Sequence, residues 1–188
     1  CIRDSICVEG MNFSEIAGRD LKGDVRVEIS ASNTGERSIA LAPTRGEEKA
    51  RLTEGPAILH ENVLGRSLEV SQESFWQSHK KAPEVLTQAV LDFAQLKTGE
   101  HVLDLYGGVG LFTAALATEV TQTGRVTLIE LDAGAVTDAR RNFAENQIVE
   151  IVEGKVERSL SKFKRADLIL LDPPRSGAGK DVVSAMVK

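Results

Sequence analysis

The 188-residue chain has little cysteine, and the two residues it has, Cys1 and Cys7, cannot supply the framework of a disulfide scaffold. No third or fourth cysteine follows the pair, so a four-thiolate cluster is excluded within these residues and both thiols read as isolated side chains suited to a reducing cytoplasm. Long hydrophobic runs are also missing. With 41% hydrophobic and 27% charged residues, the composition is that of a soluble protein with no membrane span, and no secretory signal opens the chain. Repeats and low-complexity tracts are absent. So is an excess of positive charge: the net charge of −5 offers no global attraction to a polyanion. Short basic groups stand at His79-Lys80-Lys81, Arg140-Arg141 and Lys162-Lys164-Arg165, each equally suited to a solvated helix face.

Against these absences one stretch stands out, residues 101–110, HVLDLYGGVG. Val102, Leu103 and Leu105 give a short buried strand, and Asp104 lies near its carboxyl end. Gly108 and Gly110 allow a tight turn that a ligand can approach closely. A helix over residues 111–120 follows and points its unsatisfied first-turn N–H groups at that turn. A Gly-x-Gly turn also occurs in ordinary strand-to-helix connections, so the surrounding elements decide its meaning.

A second strand, residues 125–131 (RVTLIEL), ends at Glu130 and Asp132. A carboxylate at the end of the second strand of a βαβ unit faces the crevice beside the first turn, where it can accept both hydroxyls of a ribose. Dinucleotide folds share this feature, but their GxGxxG turn has a third small residue where this chain continues Leu111-Phe112-Thr113. Asp104 suits a ligand with a cationic amino acid portion better than one with two phosphates. The third landmark is residues 166–175, ADLILLDPPR, an apolar strand running into two prolines that cannot extend it. They hold Asp172 at the edge of the sheet, on one rim with Asp104 and Glu130 if the strands are parallel. Asp-Pro also initiates turns, and Asp172 as a cap for the next helix remains an alternative.

Together DLYGGVG, the IEL strand end and LLDPPRSG resemble the class I S-adenosylmethionine-dependent RNA methyltransferases that make 5-methyluridine, actinobacterial type. Phe75-Trp76-Gln77 is similar to that family's Phe-x-Gln segment, and the resemblance runs from about residue 72 to residue 179. It implies a Rossmann-like α/β fold of the class I methyltransferase type: a partial parallel sheet with flanking helices, preceded by a small antiparallel β region. It also implies S-adenosylmethionine as cofactor and C5 of a uridine in tRNA or rRNA as target. On this resemblance Gln77, Asp104, Tyr106, Gly108, Gly110, Glu130 and Asp172 are the cofactor-binding residues. Glu130 would take the ribose hydroxyls, Gly108 and Gly110 would line the methionine end, and Tyr106 and Gln77 would close the pocket. Lys155 departs from the polar residue that contacts adenine in the family and reads as solvated. Arg175 replaces the aromatic residue of adenine-directed enzymes.

The family's chemistry requires a cysteine thiolate adding to C6 of uracil and a base that removes the C5 proton. Both are expected beyond Lys188, so no catalytic residue is assigned within the chain, which reads as an internal fragment unable to turn over. The remaining expectations are a monomeric cytoplasmic protein with an RNA partner. Other classes carried alongside are an NAD(P)-dependent oxidoreductase, which has no use for DPPR, and a non-catalytic RNA-binding adaptor on the same fold.

The first seventy residues are less informative. Alternation over residues 24–32 and 38–42 around Asn33-Thr-Gly-Glu36 predicts a hairpin, and residues 65–71 predict one more strand. Residues 1–71 are thus expected to be part of a β-rich domain, and residues 72–188 a cofactor domain truncated on its C-terminal side. Strands are expected near 101–106, 125–131, 148–152 and 166–172, and a last helix over 181–187. A helix over residues 79–96, with Pro83 in its first turn, is expected to pack on the sheet through Val85, Leu86, Ala89, Val90 and Phe93.

Overall fold

The computed structural model describes residues 25–45 and 49–186; the readings made of Cys1, Cys7 and residue 187 lie outside them. The antiparallel part begins with β1 (Val25–Ala31) and β2 (Arg37–Pro43), paired with Ile29 opposite Ile39. This is the hairpin the alternation predicts. A third strand, β3 (Arg51–Glu54), adds to β2, and a separate hairpin joins β4 (Ile58–Val63) to β5 (Arg66–Ser71). Leu64 and Gly65 turn that hairpin with φ of 50° and 78°, the left-handed pair that a two-residue turn requires. Along β4, Leu59, Glu61 and Val63 point inward while His60 and Asn62 face out. Only half of that pattern is apolar, so the strand is not apparent in the sequence.

The second part is a four-stranded sheet built from β6 (His101–Leu105), β7 (Arg125–Glu130), β8 (Val149–Glu153) and β9 (Leu168–Leu171). Its order is β8-β7-β6-β9 and every pair is parallel. The four strands are those the sequence predicts, and the mixed α/β architecture is the expected one. Helices α1 (Ala82–Ala94), α2 (Leu111–Val120), α3 (Ala133–Asn142), α4 (Val156–Ser159) and α5 (Gly179–Met186) follow in chain order, with a short 3-10 turn (Leu160–Lys162) after α4. Both faces of β6 and β7 are covered, as a parallel sheet demands. On one face Val102 and Val126 pack with Leu116 and Val120 of α2; on the other Leu103, Leu105 and Ile129 pack with Val156, Leu160 and Val182.

One feature differs from expectation. Helix α1 is shorter than the periodicity suggests and meets the core through only part of the expected face: Val90 packs against the core beside Val102 and Leu116, whereas Val85 and Leu86 are exposed, Phe93 is 88% exposed, and Pro83 and Thr87 are buried. It lies against α2 and β4 rather than flat on the parallel sheet, so the face that meets protein is turned away from the most apolar side chains. The β4–β5 hairpin also shares a core with the parallel-sheet half, through Val63 and Leu68 beside Leu111, Phe112 and Leu116. A buried carboxylate ties the two together. Asp138 of α3 accepts from the Ser71 backbone N–H at 2.8 Å, from Ser71 Oγ at 2.5 Å, from Ser74 Oγ at 2.6 Å and from Arg141 Nη2 at 3.1 Å. Next to it the Asn142 amide accepts from the Glu69 N–H and donates to the Glu69 and Val109 carbonyls.

Candidate ligand-binding site

The connection from β6 to α2 is a backbone device before it is a set of side chains. Tyr106 has a φ of 64°, a left-handed conformation that costs a side-chain-bearing residue of order 1–2 kcal/mol and that surrounding structure must hold. Its N–H and that of Gly107 both donate to the Ile129 carbonyl, at 2.9 and 3.2 Å, which pins the turn to the end of β7. At Gly107 a Cβ would lie 2.6 Å from Leu128 Cγ, so the turn sits directly on the sheet. Gly110 has a φ of 99° and a Cβ there would meet the Phe143 ring at 2.3 Å. Glycine is thus required at 107 by close approach and at 110 by both conformation and space.

Two carboxylates brace this turn from different sides. Glu130 accepts from the Gly108 N–H at 3.0 Å through one oxygen, and from the Leu131 and Asp132 N–H groups at 2.6 and 2.7 Å through the other. It stands at the carboxyl end of β7, beside the turn, with part of its surface open. Asp104 lies beneath. It is fully buried, in register with Leu128 and Leu170, and accepts a hydrogen bond from Thr113 Oγ1 at 2.6 Å. Its other oxygen, Oδ1, has no partner among the described residues. Burial raises its pKa from 3.8 to about 7, opposed by the Thr113 hydrogen bonds and reinforced by the nearby charges of Asp172 and Glu130. The sequence reading placed Asp104 on one rim with the other two acids. It instead sits below that rim: its strand neighbours in register, Leu128 and Leu170, each precede Glu130 and Asp172 by two residues.

A narrow pocket of about 50 Å³ opens on the other side of the turn, lined by Phe75, Gln77, Tyr106, Gly108, Phe112 and Asp172 among others. It brings together four residues singled out in the sequence, Gln77, Tyr106, Gly108 and Asp172, from three separate segments. Asp172 is held there by its N–H to the Leu105 carbonyl at 3.4 Å, and the loop that follows is closed by Gly177 N–H to the Pro174 carbonyl at 2.7 Å. Tyr106 Oη reaches the Ala178 carbonyl at 3.4 Å, fastening the turn to the segment before α5. Burial, followed by the charge of Glu157, raises the Tyr106 pKa. Glu130 does not line this pocket. It reaches the same turn from the end of β7, so Gly108 both lines the pocket and donates its N–H to Glu130. Lys155 caps nothing with its side chain at the start of α4. Val109 and Phe112 also line the pocket, and Thr113, which distinguishes this turn from the dinucleotide pattern, holds Asp104 beneath it.

Chemically, the turn offers a carboxylate acceptor and an aromatic and glycine-lined slot. An uncompensated buried acid lies under the slot. That combination fits a ligand with vicinal hydroxyls and a positively charged end. The fold and this turn define a Rossmann-like ligand-binding α/β domain. More narrowly, the chain belongs to the methyltransferase small domain family, whose model matches residues 77–188.

Similar proteins agree. An uncharacterized RNA methyltransferase of Streptomyces avermitilis is 37% identical over 97% of this chain and 47% of its own length. The tRNA (uracil-5-)-methyltransferase homolog A of Homo sapiens is 35% identical over 70% of this chain and 22% of its own length. Among solved structures, the tRNA (uracil-54, C5)-methyltransferase of Pyrococcus abyssi, in complex with S-adenosyl-L-homocysteine, matches with a TM-score of 0.68 over 88% of this chain and 47% of that one, at 20% identity. At that identity the match speaks for the fold. The chain spans about half the length of the bacterial relative, 47%. Among the described residues no helix is long and apolar enough to cross a membrane.

Proposed function

We propose that this chain is the S-adenosylmethionine-binding part of an RNA methyltransferase whose target is C5 of a uridine in tRNA or rRNA. The observation that carries the reading is the Tyr106–Gly110 turn, which holds Glu130 through the Gly108 N–H and shares Gly108 with the pocket of Gln77, Tyr106 and Asp172. Glu130 takes the ribose hydroxyls, exchanging its contacts with backbone N–H groups for hydroxyl donors. Gly108 and Gly110 line the methionine portion, and Tyr106, Gln77 and Asp172 close around it. Asp104 lies below, where a cationic end above the turn would favour its charged form. When bound, S-adenosylmethionine supplies an electrophilic methyl on a sulfonium; the residues named here orient it and keep its charged end next to acids.

The RNA target draws on the names of the relatives and on Arg175 following the two prolines, where an adenine-directed enzyme carries an aromatic side chain. Residues 72–188 form the cofactor domain in this reading, and residues 1–71 belong to a β-rich neighbour. The protein works as a cytoplasmic monomer. Family membership leaves the oxidoreductase alternative without support. The test is methyl transfer by the whole protein from tritiated S-adenosylmethionine to unmodified tRNA and rRNA transcripts, followed by nucleoside analysis. Label recovered in 5-methyluridine and lost with Glu130→Ala supports the reading. Label in a methylated adenosine, or transfer only to protein, contradicts it.

A further inference from the structure

Asp104 is fully buried beneath the turn, and the fold offers it less than a charged carboxylate needs. A Cβ added at Gly107 would lie 3.3 Å from Asp104 Cγ, so the carboxyl group sits against the underside of the turn. Oδ2 accepts from the Thr113 hydroxyl, while Oδ1 has no partner among the described residues. The turn's own donors are engaged elsewhere. Tyr106 and Gly107 donate their N–H groups to the Ile129 carbonyl, Gly108 to Glu130 and Gly110 to the Gly107 carbonyl.

The charges that act on this carboxyl group are of its own sign. Glu130 acts from the end of β7 and Asp172 from the end of β9, whereas the first turn of α2, residues 111–114, has no charged side chain and supplies only the Thr113 hydroxyl. Tyr106, the titratable side chain of the turn itself, stays neutral because burial raises its pKa further. Burial first, then Asp172 and Glu130, hold the Asp104 pKa at about 7, so the free chain carries both protonation states near neutral pH. A cation set over the turn favours the charged state, and its field is weakly screened in a buried site.

The methyl donor and its product differ in that respect. S-adenosylmethionine carries a sulfonium and S-adenosylhomocysteine a neutral thioether, while their nucleoside and amino acid parts are the same. Contacts to ribose hydroxyls or to the amino acid portion therefore act on both ligands alike. A buried group whose charge responds to the net charge above it does not. We propose that Asp104 is a specificity-determining residue that favours the sulfonium-bearing donor over the demethylated product by releasing its proton when the donor binds. The proposal rests on the S-adenosylmethionine reading above. Thr113 is the positioning residue, holding one carboxylate oxygen and stabilising the charged form. Below the free-chain pKa the proton must leave before the attraction is gained, so donor affinity rises with pH and levels off above it. Product affinity, with one positive charge fewer over the turn, follows the same course more weakly.

The experiment is calorimetric titration of this chain with S-adenosylmethionine and, separately, with S-adenosylhomocysteine. It runs from about pH 5.5 to 7.5 in buffers of different ionisation enthalpy, which counts the protons released on binding. Donor affinity should rise about tenfold across the range with release of part of a proton, and product affinity should change about twofold or less. Asp104→Asn should abolish the proton release and make the donor-to-product ratio independent of pH. Thr113→Val should move the rise to higher pH, and Thr113→Ser should restore it. The wild-type proton count needs no variant to fold. Equal proton release and equal pH dependence for the two ligands, with donor binding intact, would overturn the role of Asp104 and leave the functional reading in place. Proton release unchanged in a folded Asp104→Asn chain would do the same. Binding of neither ligand by the folded wild-type chain would overturn the functional reading and this proposal with it.

Discussion

Thr113 donates its hydroxyl to Asp104 Oδ2 at 2.6 Å between two fully buried side chains, and the second carboxylate oxygen has no partner among the described residues. The pair locks the first turn of α2 to the end of β6, directly under the glycine turn. It leaves a half-satisfied acid inside the fold, which is expensive whenever that acid is charged.

Stability should therefore depend on pH in an unusual direction for a carboxylate. Asp104 ionises near 3.8 when unfolded and near 7 when folded. Between those values the folded chain keeps a proton that the unfolded chain has lost, so stability falls as pH rises through this window and levels off above it. The loss over roughly three units is on the order of a few kcal/mol. Asp104→Asn should flatten the profile, and Thr113→Val, by removing the bond that favours the charged form, should extend the fall to higher pH. Urea denaturation at intervals from pH 4 to 9 reads both; an Asp104→Asn profile parallel to wild type would exclude Asp104 as the source.

The two turn glycines should differ. At Gly110 an added Cβ meets the Phe143 ring at 2.3 Å with φ at 99°, whereas at Gly108 φ is 56° and nothing lies within 4 Å. Gly110→Ala should cost about 2–4 kcal/mol, and Gly108→Ala about 1–2 kcal/mol from backbone strain alone. Equal losses in thermal or chemical denaturation would show that the Phe143 contact has no weight.

Much of this architecture was legible beforehand for a physical reason. Parallel strands buried on both faces read as near-continuous apolar runs, and residues 168–171 form one, while residues 102–105 and 126–129 form runs broken only by Asp104 and Thr127, each followed by turn-forming or acidic residues. Strand β4 was not legible, because Glu61 occupies a buried position and receives the Asn33 N–H there, so the apolar alternation is broken by a satisfied carboxylate. The packed face of α1 is only partly legible, through Val90, because Val85, Leu86 and Phe93 outweigh the buried Pro83 and Thr87 in hydrophobicity while remaining exposed. The site was legible in its residues but not in its levels. Periodicity placed Asp104 near the turn, and only the strand register puts it two residues below Glu130 and Asp172.

Removing the tie between hairpin and helix should loosen the antiparallel part. Asp138→Ala orphans the Ser71 N–H and two serine hydroxyls and frees Arg141, with an expected loss of about 3 kcal/mol. Hydrogen exchange should show lost protection concentrated in β4 and β5. Uniform loss across β6 and β7 would mean that Asp138 supports the whole core rather than that junction.

The central claim is that the Tyr106–Gly110 turn binds S-adenosylmethionine with Glu130 on its ribose. Calorimetric titration of the chain with S-adenosylmethionine and, separately, with NAD tests it most directly. The expected result is saturable one-to-one binding of the methyl donor, weakened about tenfold or more by Glu130→Ala, and no binding of NAD. Preferential binding of NAD, or methyl-donor binding indifferent to Glu130→Ala in a folded chain, would contradict it.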